Sequence, residues 1–350
     1  MKIHYLFFSI CYLLLPALLG CSVTHADGEI NQASVLVADE SESEQNRGIK
    51  QALAQVLVKF SGSRSIVIEP AIKQALARPL NFLSQYGYAN DDGRLMLNAE
   101  FDFDAVNDFL LENSLPIWIG ERPVVLLWLA VESEGSRRVV AEGSHPTLQA
   151  IVEENMQRRG LPHLLPLLDL DDRKRVSVTD VWGGFVDIVE AASNRYSPGA
   201  VVVGRLFPVA GGWSAHWSLV KDDGSIDSWD SQGASLDNIL ASSVDVLADN
   251  LGRLYATKID NSRRAAITLS INNISGAEDY ARALNYLESL QFVDRVSIHE
   301  VHGPNVSFIV QYKGQLDDVR FSIQRGKVLR ENSVAQFSFN YDTLSYSLIQ

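Results

Sequence analysis

Gly212-Trp213-Ser214-Ala215-His216 comes within one residue of the G-x-S-x-G turn that exposes a nucleophilic serine beside a base. His216 stands where the second glycine belongs, and the segment alternates like a strand, on which Ser214 and His216, two apart, share a face. A hydrolase with Ser214 as nucleophile and His216 as base is one reading; a serine and a histidine on the wet side of a half-buried strand is the plainer one. Trp213 and Trp217 fall on the other face with Ala215 and Leu219. They form either a flat stacking surface for a glycan or a partner peptide, or a tryptophan-rich core beneath a helix.

The acidic and imidazole clusters are less specific. His299-Glu300-x-His302 is one residue short of the H-E-x-x-H zinc helix, and on a strand its histidines point to opposite faces, so no metal site is expected. Asp169, Asp171 and Asp172 read as an acidic turn or helix start, since the spaced ligands and closing Glu of a calcium loop are absent. Glu132 with Glu134, and Asp102 with Asp104, are spaced for paired-carboxylate acid–base work, a spacing that an acidic chain generates freely. With no G-x-G-x-x-G and no G-x-x-x-x-G-K-[ST], no nucleotide cofactor is expected, and no catalytic residue is assigned.

These side chains sit in a chain of 350 residues, 46% hydrophobic and 21% charged, with 23 Gly and 11 Pro: enough apolar material for two or three packed domains and too little bias for a disordered chain. A net charge of -13 argues against a nucleic-acid partner. Lys2 followed by an apolar run from Tyr5 to Leu15 and a polar exit makes a secretory signal peptide over residues 1–26, shorter than a membrane span. Two processing sites compete. Leu18-Leu19-Gly20-Cys21 is similar to a lipobox, with Cys21 lipidated, while Thr24-His25-Ala26 suits cleavage after Ala26. The expected location is the periplasm, soluble or tethered to the outer membrane by a lipid. Both cysteines, Cys11 and Cys21, lie in this leader, so the mature chain has no disulfide. No other apolar run reaches spanning length, so no transmembrane helix is expected in the mature chain.

Three small units must position the rest, in an α/β and α+β architecture: residues 27–116, 117–262 and 263–350. In the first, a short strand at Val35 to Val37 precedes a helix with a Ser41/Glu44 capping box and a Gly62 stop, then a short helix near Ile72 to Ala77, a hairpin across Asn90 to Gly93 and a helix from Asp102 to Leu111. In the second, runs at Val124 to Leu129 and Ala200 to Gly204, apolar on both alternating faces, predict central strands of a mixed sheet with helices on both sides. Those helices are Pro146 to Arg159, one carrying Val181, Phe185, Ile188 and Ala192, and a long one from Ser235; Asp222-Asp223-Gly224 turns between strands. The third reads strand, helix, strand, strand, helix, strand, with a Ser275/Glu278 capping box and a last strand at Phe337, Phe339 and Tyr341, the ferredoxin-like order.

Asn46-Arg47-Gly48-Ile49-Lys50-Gln51-Ala52-Leu53-Ala54-Gln55-Val56-Leu57-Val58 with Ser61-Gly62, Arg122-Pro123-Val124-Val125-Leu126-Leu127-Trp128, Ala192-Ser193-Asn194-Arg195-Tyr196 before Val201-Val202-Val203-Gly204-Arg205, and Trp213 to Trp217 together resemble DUF2066, a family of exported bacterial proteins. That resemblance spans most of the mature chain and brings no catalytic residues with it. The middle unit also looks like the small α/β domain of envelope assembly lipoproteins, a likeness of fold alone. The expectation is a non-enzymatic cell-envelope adaptor or assembly factor that binds other periplasmic or outer-membrane proteins or a cell-wall component. The alternatives are an envelope hydrolase using Ser214 and His216 or paired carboxylates, and a glycan-binding module using Trp213 and Trp217.

Overall fold

The computed structural model describes residues 30–91, 93–118, 121–221, 224–258, 264–290, 292–326, 328–332 and 343–349. The expected leader with Cys21 and Ala26, the Asp222-Asp223 turn, the 261–263 boundary and the strand expected at Phe337 to Tyr341 lie outside these residues.

In the first unit, strand β1 (Gln32–Leu36) leads into helix α1 (Glu42–Ser61), which Gly62 stops in the left-handed region at φ 71°. Ser41 caps α1 by accepting the Glu44 N–H, but the reciprocal half of the expected box is missing: Glu44 accepts from the Ala38 N–H and pairs with Arg47 instead. Helix α2 (Pro70–Leu76) follows, then strands β2 (Leu83–Asp91) and β3 (Arg94–Phe101), joined by a turn in which the Asn90 side chain accepts the Gly93 N–H. Helix α3 (Phe103–Glu112) starts at Asp102, whose carboxylate accepts the Ala105 N–H. The strands form a sheet of order β1-β3-β2, one face of which packs Ala33, Val35, Leu97 and Ala99 against the Ile49, Ala52, Leu53 and Val56 stripe of α1.

Strand β4 (Pro116–Trp118) leads to the middle unit, whose parts are β5 (Val125–Ser133), β6 (Ser136–Val139), α4 (Pro146–Arg158), β7 (His163–Leu164), α5 (Leu170–Arg175), α6 (Val178–Gly183), α7 (Val186–Ser193), β8 (Ala200–Val209), β9 (Gly212–Val220), β10 (Ile226–Gly233) and α8 (Leu236–Tyr255). Its sheet runs β10-β9-β8-β5-β6 with β7 also on β5; β5 is parallel to β7 and β8, and the other pairings are antiparallel. The continuous apolar run of β5 divides between two cores. Val125, Leu127 and Leu129 pack with α4 and α8, while Leu126, Trp128 and Ala130 pack with α6 and α7, so helices cover both faces. Where one helix was expected through Val181 and Ala192, there are two. Gly184, at φ 70°, ends α6, and Phe185 and Ile188, counted in the apolar stripe, are 53% and 42% exposed. Strand β11 (Ala256–Lys258) pairs with β4, tying the end of α8 to the exit of the first unit.

The last unit contains β12 (Arg264–Asn272), α9 (Ala277–Glu288), β13 (Val293–His302), β14 (Asn305–Lys313), α10 (Leu316–Arg325), β15 (Leu329–Glu331) and β16 (Thr343–Leu348). Its sheet order, β13-β14-β12-β16-β15, is the ferredoxin-like arrangement with one strand added: β15 takes the fourth strand's role one place outward, and β16 inserts parallel to β12. The α9 start also differs from the expected box. Ser275 donates its backbone N–H and hydroxyl to Asp279, not to Glu278. The buried apolar side chains of the first and last units belong to one cluster. The molecule is therefore α/β in the middle and α+β at both ends, and no helix among the described residues is long and apolar enough to cross a membrane.

Candidate functional site, a groove at the junction of the first and middle units

Only one face of the β1-β3-β2 sheet meets α1. Alternation sends Gln32 and Ser34 of β1, Met96, Asn98 and Glu100 of β3, and Gln85, Gly87 and Ala89 of β2 to the other face, which floors a groove of about 900 Å³. Helix α4 supplies a wall with Ala150, Glu153, Glu154, Gln157 and Arg158. Amides are aligned by the carboxylate between them: Gln32 and Gln85, on the two outer strands, both donate to Glu100 on the central one, at 3.3 and 2.6 Å. A Cβ placed on Gly87 would meet nothing within 4 Å, so the floor is open there.

Buried charge at one end of the groove fixes the spacing of floor and wall. Arg159, at the end of α4 and 2% exposed, donates to Asp245 (2.9 Å) and Asp249 (2.8 Å) on α8 and to the Gly62 carbonyl at the end of α1 (3.3 Å). Arg64 holds Asp249 and Asp245 from the first unit at 2.8 and 3.3 Å. Burial pushes the Asp249 carboxyl up, but Arg159 and Arg64 outweigh it and hold the group below its ordinary value. Gly62 meets Gly252 of α8 backbone to backbone, a contact that a Cβ on either residue would break.

Two further cations complete this end. Arg122 lies 4.3 Å over the Trp118 ring and donates to the carbonyls of Arg159 and Lys59. The ring itself stacks on Tyr255. Lys59 is buried and donates to the Gln32 carbonyl at 2.7 Å; burial, and then the nearby Arg122, push its ammonium down to about 8. Lys59, Arg122 and Arg159 escaped the sequence reading, although a lysine between the apolar Leu57 and Phe60 of a helical stripe was a signal that could have found one of them.

The residues singled out from sequence lie elsewhere. Ser214 and His216 do share a face of β9, and His216 Nδ1 is 2.7 Å from Asp230, its cross-strand neighbour on β10 and a partner the sequence did not suggest. Among the described residues His216 pairs with Asp230 and not with Ser214; Asp230 is 80% exposed and His216 half-buried, so the pair lies toward the sheet's edge strand where solvent reaches it. Trp213 and Trp217 face α8. Trp217 is 4% exposed, donates to Ser231 and stacks on Trp229, so it belongs to the core beneath the helix and offers no face to a glycan, while Trp213 packs half-buried against the same cluster.

The acidic candidates are structural. Asp169 caps α5 and receives a two-pronged Arg195 guanidinium at 2.7 and 2.8 Å, a hydrogen-bonded pairing that holds its carboxyl below the usual range. Asp172 is not solvated but fully buried, bonded by Arg195, the Tyr196 hydroxyl and the Leu168 N–H. Of the spaced carboxylate pairs, Asp102 is a helix cap with Asp104 in the first turn of α3, Glu132 pairs with Arg137, and Glu134 occupies the β5–β6 turn at φ 52°. His302 approaches Glu300 at 3.4 Å on the edge strand β13. Among the described residues no group of three His, Cys, Asp or Glu side chains could hold a metal ion.

The chain matches the family described as Domain of unknown function (DUF8605) over residues 26–119, a stretch that covers the first unit and contains the whole groove floor, and this family differs from the one the motifs resemble. No curated protein and no solved structure matches the chain.

Proposed function

We propose that this chain is a non-enzymatic adaptor of the bacterial cell envelope, exported by its leader and either soluble in the periplasm or tethered to the outer membrane through Cys21, and that it works by holding a protein or cell-wall component in the groove between the β1-β3-β2 sheet and α4. The carrying observation is the groove itself: a wide concave surface, lined by amides, small side chains and charged groups, whose two sides belong to different units held by a buried ion-pair junction. Rigid walls and an open floor suit the capture of a partner, since little ordering of the protein is left to be done on binding. The DUF2066 resemblance and the lipobox-like Cys21 support the envelope location.

A photo-activated cross-linking residue placed at Asn98 or Gln157, in cells that export the chain, tests this. Discrete adducts with an envelope protein or cell-wall fragment are expected at both positions and not at Glu134, on the β5–β6 turn, which does not line the groove. Absence of adducts in the groove, or the same adducts at Glu134, would remove the proposal.

A further inference from the structure

We infer that the groove takes an extended polypeptide segment bearing lysine or arginine side chains, added as a strand to the free edge of β2. This rests on the adaptor reading and names the chemistry of its partner. Two independent observations carry it.

The first is the balance of charge. Each cation that lines the groove is engaged: Arg94 with Asp91 at 2.7 Å, Arg158 with Asp245 at 3.0 Å, and Lys59 with the Gln32 carbonyl. Three of the carboxylates are not neutralised. Glu100 accepts the amides of Gln32 and Gln85; Glu153 accepts the Gln157 amide and faces His163, whose burial favours the neutral ring; Glu154 has no cation partner among the described residues. Against these three carboxylates stands one ammonium, Lys59, met only by a carbonyl and buried at one end, so the uncompensated charge over the floor and on the wall is negative on balance, and a cationic ligand complements it.

The second is the edge of the sheet. β2 is nine residues long, lies among the described residues at the end of the order β1-β3-β2, and is exposed along most of its length. Such edges are ordinarily blunted by lysine, proline or a bulge. From Leu83 to Asn90 there is neither charge nor proline, and the register shift is confined to the start, between Leu83 and Gln85. An added strand would gain main-chain hydrogen bonds from β2 and send alternate side chains over the groove floor beside Gly87, where space is open, toward Glu100 and the α4 carboxylates.

The test uses the full exported chain and two fluorescent octapeptides, one alternating Lys and Thr, the other Glu and Thr, followed by anisotropy. The Lys peptide is expected to bind, at least ten-fold more tightly than the Glu peptide and more weakly as salt rises, and to protect amides of residues 83–91 from hydrogen exchange. The combined Glu100→Gln, Glu153→Gln and Glu154→Gln variant should weaken it at least ten-fold with an unchanged melting temperature. Should that variant fold poorly, Glu154→Lys alone is expected to weaken the Lys peptide and strengthen the Glu peptide. Equal binding of the two peptides, indifference to these substitutions, or protection that misses β2 would each overturn the inference. If the Asn98 cross-link persists while the Lys peptide fails to bind, only this inference falls; if both are lost, the adaptor reading falls with it.

Discussion

Lys59 is charged in a place that offers it one carbonyl oxygen and a neighbouring guanidinium. Its folded value of about 8 lies below the ordinary 10.5, so the native protein releases this proton before the unfolded chain does. The penalty is full below about pH 8 and fades as pH climbs toward 10.5, and this group makes stability rise across that window. A depression of that size amounts to about 3 kcal/mol, part of which the Gln32 hydrogen bond already offsets. Lys59→Met is therefore expected to stabilise the fold at pH 7 by about 1–2 kcal/mol and to flatten the rise between pH 8 and 10. Denaturant unfolding at pH 7 and 9.5 checks both, and a destabilised variant at pH 7 would show that the carbonyl bond outweighs the buried charge. The Arg195, Asp169 and Asp172 clamp shows the opposite case, in which an equally enclosed charge is fully matched.

At the scale of elements, α1 and α8 approach closely enough for Gly62 and Gly252 to touch through their backbones. Gly252→Ala puts a methyl group into the Gly62 carbonyl and should cost about 1–3 kcal/mol by forcing the helices apart, whereas Ala at Gly87, where space is open, should cost far less. Thermal melts of the two variants give the comparison. Elements such as these were readable from sequence where the signal is local: Ser41, Asp102 and Ser235 begin helices, Gly62 ends one, and the doubly apolar run at Val125 marks a central strand. Misreadings arose where two local signals compete. Phe185 and Ile188 keep helical spacing across Gly184, and spacing cannot say that the helix breaks between them and Val181. The groove was invisible for another reason. Its floor residues read as the wet face of a strand, and only the approach of α4, set by Arg159 from distant sequence, turns that face into a concavity.

For the molecule as a whole, the Arg159 junction couples the first two units. Arg159→Ala would leave Asp245 and Asp249 short of a buried partner, at a cost of about 3–5 kcal/mol. Calorimetry should show a single unfolding transition in the parent and two separated transitions in the variant; a variant that still melts as one unit would place the coupling of these two units in the β4–β11 pairing and the Gly62–Gly252 contact. The last unit adds a constraint of timing. β16 lies between β12 and β15 although it follows both in the chain. For a chain delivered amino terminus first, from a ribosome or through a membrane pore, this sheet waits with an empty slot. Its folding clock starts only when residues 343–348 arrive to fill it.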